Sequence, residues 1–192
     1  NELMGIQIPD EQLNQINQDN EAKIYQIHDN GVRPFCVFYK NNDIIIFKER
    51  PNDDELYTGK YNIPVMEYKN VKRFIPGKDN DPDYIGNSIL VEIEDNRYVF
   101  IGEKIYEFNL PNGDEIVHYW SLVGNNDVPY PCAVGKHNAY FMLGYVYIPK
   151  SEFPEDIDWF DAYNWFYGHS GGHVDRTKTE FPNINMIHGR IW

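Results

Sequence analysis

Between Ser88 and Phe108 the chain switches from strand-like to turn-like residues and back every few positions. Ile89, Val91 and Ile93 alternate with Leu90, Glu92 and Glu94. Asp95-Asn96 breaks the run, Tyr98 to Ile101 resumes it, Gly102-Glu103 breaks it again, and Ile105 to Phe108 completes it. A period of two sends successive side chains to opposite faces of a pleated strand. Strands joined by so few residues can pair only antiparallel.

The pattern extends in both directions. Lys23 to His28 and Val32 to Lys40 flank Asp29-Asn30-Gly31, and Asn-Gly is a strong hairpin signal because both residues tolerate positive φ. Asn41-Asn42-Asp43 turns into Ile44 to Glu49, where the unbroken apolar run Ile44 to Phe47 predicts a strand buried on both faces. Residues 50–60 read as a polar loop, and 61–75 as weaker strand interrupted at Pro64. Pro76 to Gly86, with Asp79, Asp81 and Asp83, reads as an exposed loop. Pro111-Asn112-Gly113-Asp114 turns into a strand over Ile116 to Val123; Cys132 to Val134 and Tyr140 to Ile148 follow.

With 15 Tyr and 11 Phe among 192 residues, the composition suits half-buried pleated surfaces. The predicted fold is mainly β: an antiparallel meander of short strands over residues 21–150, forming a sandwich or barrel. Residues 1–20 form a polar N-terminal arm or short helix. Pro154-Glu155-Asp156 opens a predicted aromatic helix over 151–168, stopped by Gly168 and packed on the sheet. Residues 169–192 are expected to be an irregular tail.

Charge excludes one class of partner. Seventeen basic against thirty acidic residues give −13, whereas a duplex-binding protein needs a basic face to neutralise phosphates. No nucleic-acid partner is expected; the acidity indicates solubility or a basic partner. No apolar run approaches the roughly 18 residues of a membrane-spanning helix, and no signal peptide is visible. Cys36 and Cys132 lie in apolar surroundings and read as buried free thiols, which fits a reducing compartment.

Several residues carry chemistry worth weighing. Pro129 and Pro131 bracket Tyr130 and should hold it in a rigid, extended corner. Trp159, Tyr163, Trp165, Phe166 and Tyr167 form an aromatic cluster of the kind found at protein interfaces and sugar-binding faces. One side should be core and the remainder contact surface. His169, His173 and Asp175, with His188 further on, are zinc-ligand types, and an open fourth position would hold a hydrolytic water. Gly171-Gly172 makes that segment a loop, so the simpler reading is a surface loop with hydrogen-bonded histidines. Ser170 beside His169, and Cys132 with His137 as base, are weaker nucleophile candidates. Asp79, Asp81 and Asp83 have calcium-loop spacing, but Pro82 intervenes and Leu90 stands where a ligating Glu belongs. Phosphate-cradling glycine motifs are absent.

Four pieces of the β body carry a family resemblance. They are Asn30-Gly31-Val32-Arg33-Pro34-Phe35, Gly86-Asn87-Ser88-Ile89-Leu90, Tyr98-Val99-Phe100-Ile101-Gly102 with Ile105-Tyr106-Glu107-Phe108, and Val123-Gly124-Asn125-Asn126-Asp127-Val128-Pro129-Tyr130-Pro131. They resemble a protein family of giant, mimivirus-like nucleocytoplasmic large DNA viruses. The resemblance covers roughly residues 30–148 and implies a viral protein, located in the cytoplasm of the infected host cell or in the virion. It brings no catalytic residues, and the chain beyond about 150 lies outside it. The expected function is non-enzymatic: a virion component or a module that binds a host or viral protein. A metal-dependent hydrolase using the His/Asp loop, and more weakly a carbohydrate-binding module, are the alternatives.

Overall fold

The computed structural model describes residues 22–27, 33–78, 85–123, 129–159 and 179–189. Their strands fall into three antiparallel sheets. The first outer sheet runs in the order β1 (Lys23–Gln26), β2 (Cys36–Lys40), β3 (Asp43–Phe47) and β4 (Met66–Tyr68). The central sheet holds β5 (Arg73–Lys78), β6 (Ile85–Glu94), β7 (Arg97–Ile101) and β8 (Ile105–Asn109). The second outer sheet holds β9 (Ile116–Val123), β10 (Pro129–Gly135), β11 (Asn138–Phe141) and β12 (Val146–Pro149). Within each of these runs, chain neighbours are sheet neighbours, so the meander is as expected. Two late strands depart from it: β13 (Thr179–Glu180) pairs with β12, and β14 (Asn185–His188) pairs with β8. Among the described residues no sheet closes on itself, so there is no barrel.

The turns follow from residue type. Lys40 pairs with Asp43 across Asn41 and Asn42, whose φ values are 53° and 66°. Asn is among the few non-glycine residues that enter the left-handed region readily, and two such residues match the twist of a tight hairpin.

Alternation sorts the central sheet's side chains into two cores. Ile89, Val91, Val99, Ile101 and Ile105 pack with Val37, Tyr39, Ile44 and Ile46 of the first outer sheet. Leu90, Tyr98, Phe100, Tyr106 and Phe108 pack with Tyr119, Ala133 and Tyr140 of the second. The central sheet is therefore apolar on both faces, and the molecule is layered three sheets deep. Each fully buried aliphatic or aromatic side chain contributes about 1.5–3 kcal/mol relative to exposure.

Polar residues that fall inside these layers are paired, as burial requires. Arg73 reaches from β5 toward the second outer sheet: Nε donates to Glu92 at 2.6 Å, Nη2 to the Tyr98 hydroxyl at 2.7 Å and Nη1 to the Ile116 carbonyl at 3.1 Å. Ser88 and Tyr119 share a hydrogen bond across the same gap. On the opposite face Glu107 accepts from Arg97 and from the Tyr68 hydroxyl.

The structure corrects several expectations. Residues 50–60 contain helix α1 (Asp53–Thr58), closed by a capping box between Asn52 and Glu55 and by Gly59 at φ 75°. Pro76 and Gly77 are buried members of β5 rather than part of an exposed loop. Strand β5 is the edge of the central sheet, where a missing proline N–H is tolerated, and its pairing with β6 is irregular at that point. The single strand expected over Tyr140 to Ile148 is two, β11 and β12, joined by a turn in which Tyr145 takes φ 57°. The tail of 169–192 contributes β13 and β14 and is not irregular throughout. Lys150–Glu152 is a 3-10 turn, and no α-helix begins at Pro154 within the described residues. The remainder of the helix expected over 151–168, and the arm of 1–20, lie outside the described residues.

Candidate functional site

The segment after β12 covers the outer face of the second outer sheet. That face presents Cys132, Val134, Ala139, Phe141 and Ile148, which need an apolar cover. Phe153 supplies it, with Ile157 and Trp159 packed alongside. The backbone is pinned where it leaves the sheet: Lys150 N–H donates to the His137 carbonyl at 2.9 Å, and Phe153 N–H to the Lys150 carbonyl at 3.1 Å. A second turn follows, with Ile157 N–H on the Pro154 carbonyl at 3.1 Å.

This spacing divides the segment by chemistry. The apolar side chains face the sheet, while Glu152, Glu155, Asp156 and Asp158 are all exposed. Trp159 is half-buried, with its ring 5.0 Å from that of Phe153 at an interplanar angle of 66°. Lys150 Nζ lies over the Trp159 ring, 5.6 Å from its centroid. The result is an indole held by the core at one side, carrying a cation on its face and set in a run of carboxylates. Such a surface can grip a partner.

The other sequence candidates fare differently. Tyr130 lies in β10 opposite Leu122, so the Pro-Tyr-Pro segment is a strand rather than a corner. The prolines fit because β11 ends at Phe141, opposite Cys132. Pro131 points its carbonyl to Met142 N–H at 3.1 Å, beyond that ladder, where no proline N–H is required. His188 lies in β14, its ring edge-on to Phe35 at 5.1 Å, and its Nδ1 is buried with no hydrogen-bond partner among the described residues. Tyr163, Trp165, Phe166, Tyr167, His169, Ser170, His173 and Asp175 lie outside the described residues, as do Asp79, Asp81 and Asp83. Among the described residues no group of three or more metal-ligating side chains converges.

Cys132 is a free thiol sealed in the core, and burial pushes its pKa far up. Its thiolate is therefore not formed at neutral pH, and His137, exposed at the turn after β10, is no base for it. Cys36 is likewise free and buried, its pKa raised by desolvation.

No family model, no curated protein and no solved structure matches the chain.

Two surface residues escaped the sequence reading. Tyr57 on α1 is 92% exposed and Ile63 beyond it 96% exposed. Their neighbours Leu56 and Tyr61 turn inward onto Phe47 and Phe38 of the first outer sheet. The helical spacing within the Asn52-x-x-Glu55 box was the signal that could have separated Tyr57 from Leu56.

Proposed function

We propose that this is a non-enzymatic protein of a giant, mimivirus-like DNA virus, either a virion component or a module that binds a host or viral protein. In this reading it works in the infected-cell cytoplasm or in the particle. The observation that carries the binding role is the half-exposed Trp159, anchored on Phe153 and surrounded in sequence by exposed carboxylates. Amphipathic aromatic rings give large contact area at low conformational cost, which is why they concentrate at interfaces. Net acidity favours a basic partner over nucleic acid. Tyr163, Trp165 and Tyr167, which follow in the sequence, are proposed as further binding residues. Affinity purification from infected cells tests the reading: replacing Trp159, Tyr163, Trp165 and Tyr167 together by serine should release the co-purifying partner while the fold survives. Interactions left intact by that variant would end it.

A second reading rests on the orphaned Nδ1 of His188. It makes His188 a zinc ligand with His169, His173 and Asp175, in a metal-dependent hydrolase. Elemental analysis of the purified protein, with and without His169→Ala and His173→Ala, decides it: zinc absent from the native protein would remove this reading.

A further inference from the structure

We infer that two copies of the chain join edge to edge through β4, antiparallel about a two-fold axis at Tyr68, so that Glu67 of each copy lies opposite Lys69 of the other. The inference is independent of the Trp159 surface. Strand β4 ends the first outer sheet, and among the described residues only β3 pairs with it. An edge strand presents a row of backbone donors and acceptors that a second strand can complete. This edge is also held in place. Val65 N–H donates to the Ile46 carbonyl at 2.7 Å at one end, and Asn70 N–H to Asp43 Oδ1 at 2.8 Å at the other. Asn70, at φ 55°, then turns the chain away.

The side chains decide which strand fits. Tyr68 is buried, so Glu67 and Lys69 share the opposite, exposed face. Neither has an ion-pair partner among the described residues. Charge on an edge strand normally protects it by repelling an incoming strand. Two opposite charges spaced two residues apart do not repel an inverted copy of themselves. An axis at Glu67 would set Glu67 against Glu67, and one at Lys69 would set Lys69 against Lys69. With the axis at Tyr68, both cross-strand pairs are Glu–Lys, which stabilises that register over its neighbours. The surroundings also suit a second copy, since a two-fold contact must complement itself. Residues 48–69 hold four basic and five acidic side chains, in a chain with seventeen and thirty. This stretch is near neutral, whereas the chain as a whole, at −13, repels its own copies. Tyr57 and Ile63, at 92% and 96% exposure, lie in the same stretch and offer apolar area.

The test is sedimentation equilibrium of the full chain over a concentration series. The native protein should dimerise reversibly with a Kd on the order of micromolar, as a short seam implies. Glu67→Lys and Lys69→Glu, both at exposed positions, should each raise the Kd about tenfold or more, because each sets like charges against one another twice. Mixed together, the two variants should pair with each other at near-native affinity, since opposite charges then face again across the seam. Glu103→Lys makes the same charge change at an exposed turn of the central sheet and should leave the Kd near native. A native protein that stays monomeric overturns the inference, as does a dimer that the single variants do not weaken. A mixture no more associated than either variant alone also overturns it. So does an effect of Glu103→Lys equal to that of Glu67→Lys.

Discussion

The Tyr68 hydroxyl donates to Glu107 Oε2 at 2.7 Å, joining the edge of the first outer sheet to an interior strand of the central one, β8. Glu107 is only 7% exposed and takes its other support from Arg97, whose Nη2 lies 2.7 Å from Oε1. Tyr68→Phe leaves a buried carboxylate short of one donor. It should destabilise the protein by about 1–3 kcal/mol in urea unfolding. A change under about 0.5 kcal/mol, the level of an ordinary surface substitution, would show that this bond does not hold the layers.

Alkali should unfold the protein through its buried phenols. Burial, reinforced by a carboxylate partner for Tyr68 and Tyr140, raises the pKa of Tyr68, Tyr98, Tyr106 and Tyr140 above the ordinary tyrosine value. The fold thus keeps these groups protonated while the unfolded chain ionises near pH 10. Their contribution is complete below about pH 10 and is lost as pH climbs past it. Tyrosinate absorbance should rise together with loss of tertiary circular dichroism. Ionisation of all tyrosines near pH 10 with the tertiary signal intact would contradict this.

Removing Arg73 should be severe. Glu92 is 5% exposed, and Arg73 is its closest cation, with Lys72 further off at 3.7 Å. Arg73→Met leaves that charge poorly compensated and should cost about 3–5 kcal/mol. Arg73→Met with Glu92→Leu should recover most of the loss, because a matched apolar pair needs no counter-charge. A double variant no better than the single one would show that the Tyr98 and Ile116 contacts matter more than the ion pair.

Gly135→Ala tests the closest approach in the second outer sheet. An added Cβ would sit 2.2 Å from Asp114 Oδ2. That carboxylate cannot simply swing aside, because it accepts from Glu115 N–H at 2.9 Å, His137 N–H at 3.0 Å and the Tyr140 hydroxyl at 2.7 Å. A thermal-melt loss equivalent to about 1–3 kcal/mol is expected, the range for overpacking a filled site. An unchanged melt would mean that Asp114 is freer than these bonds imply.

The strands were legible where alternation and turn residues agree, as in Ile89 to Phe108. The layering was not, because whether Val91 or Leu90 meets the first or the second outer sheet is decided by tertiary packing. Helix α1 was written in Asn52, Glu55 and Gly59, but in six residues Leu56 is the one aliphatic side chain, too little for an apolar stripe to reveal it. The β11–β12 turn was hidden because Tyr145, a residue that resists positive φ, makes it and is then buried against Tyr106 at 5.1 Å. Strands β13 and β14 are too short for a period to register. At the candidate site the aromatic and acidic residues could be read directly. The position of Lys150 over Trp159 could not, since it depends on where the 3-10 turn aims a long side chain.

Strand β14 completes the central sheet beside β8, although the two lie at opposite ends of the long stretch from Asn109 to Asn185. During synthesis on the ribosome, β8 must emerge well before its neighbour exists. Its outer row of amide and carbonyl groups stands open through the translation of the entire second outer sheet. The time this edge waits is set by elongation speed, so a slowly translated message should expose nascent chains to aberrant strand pairing for longer than a fast one.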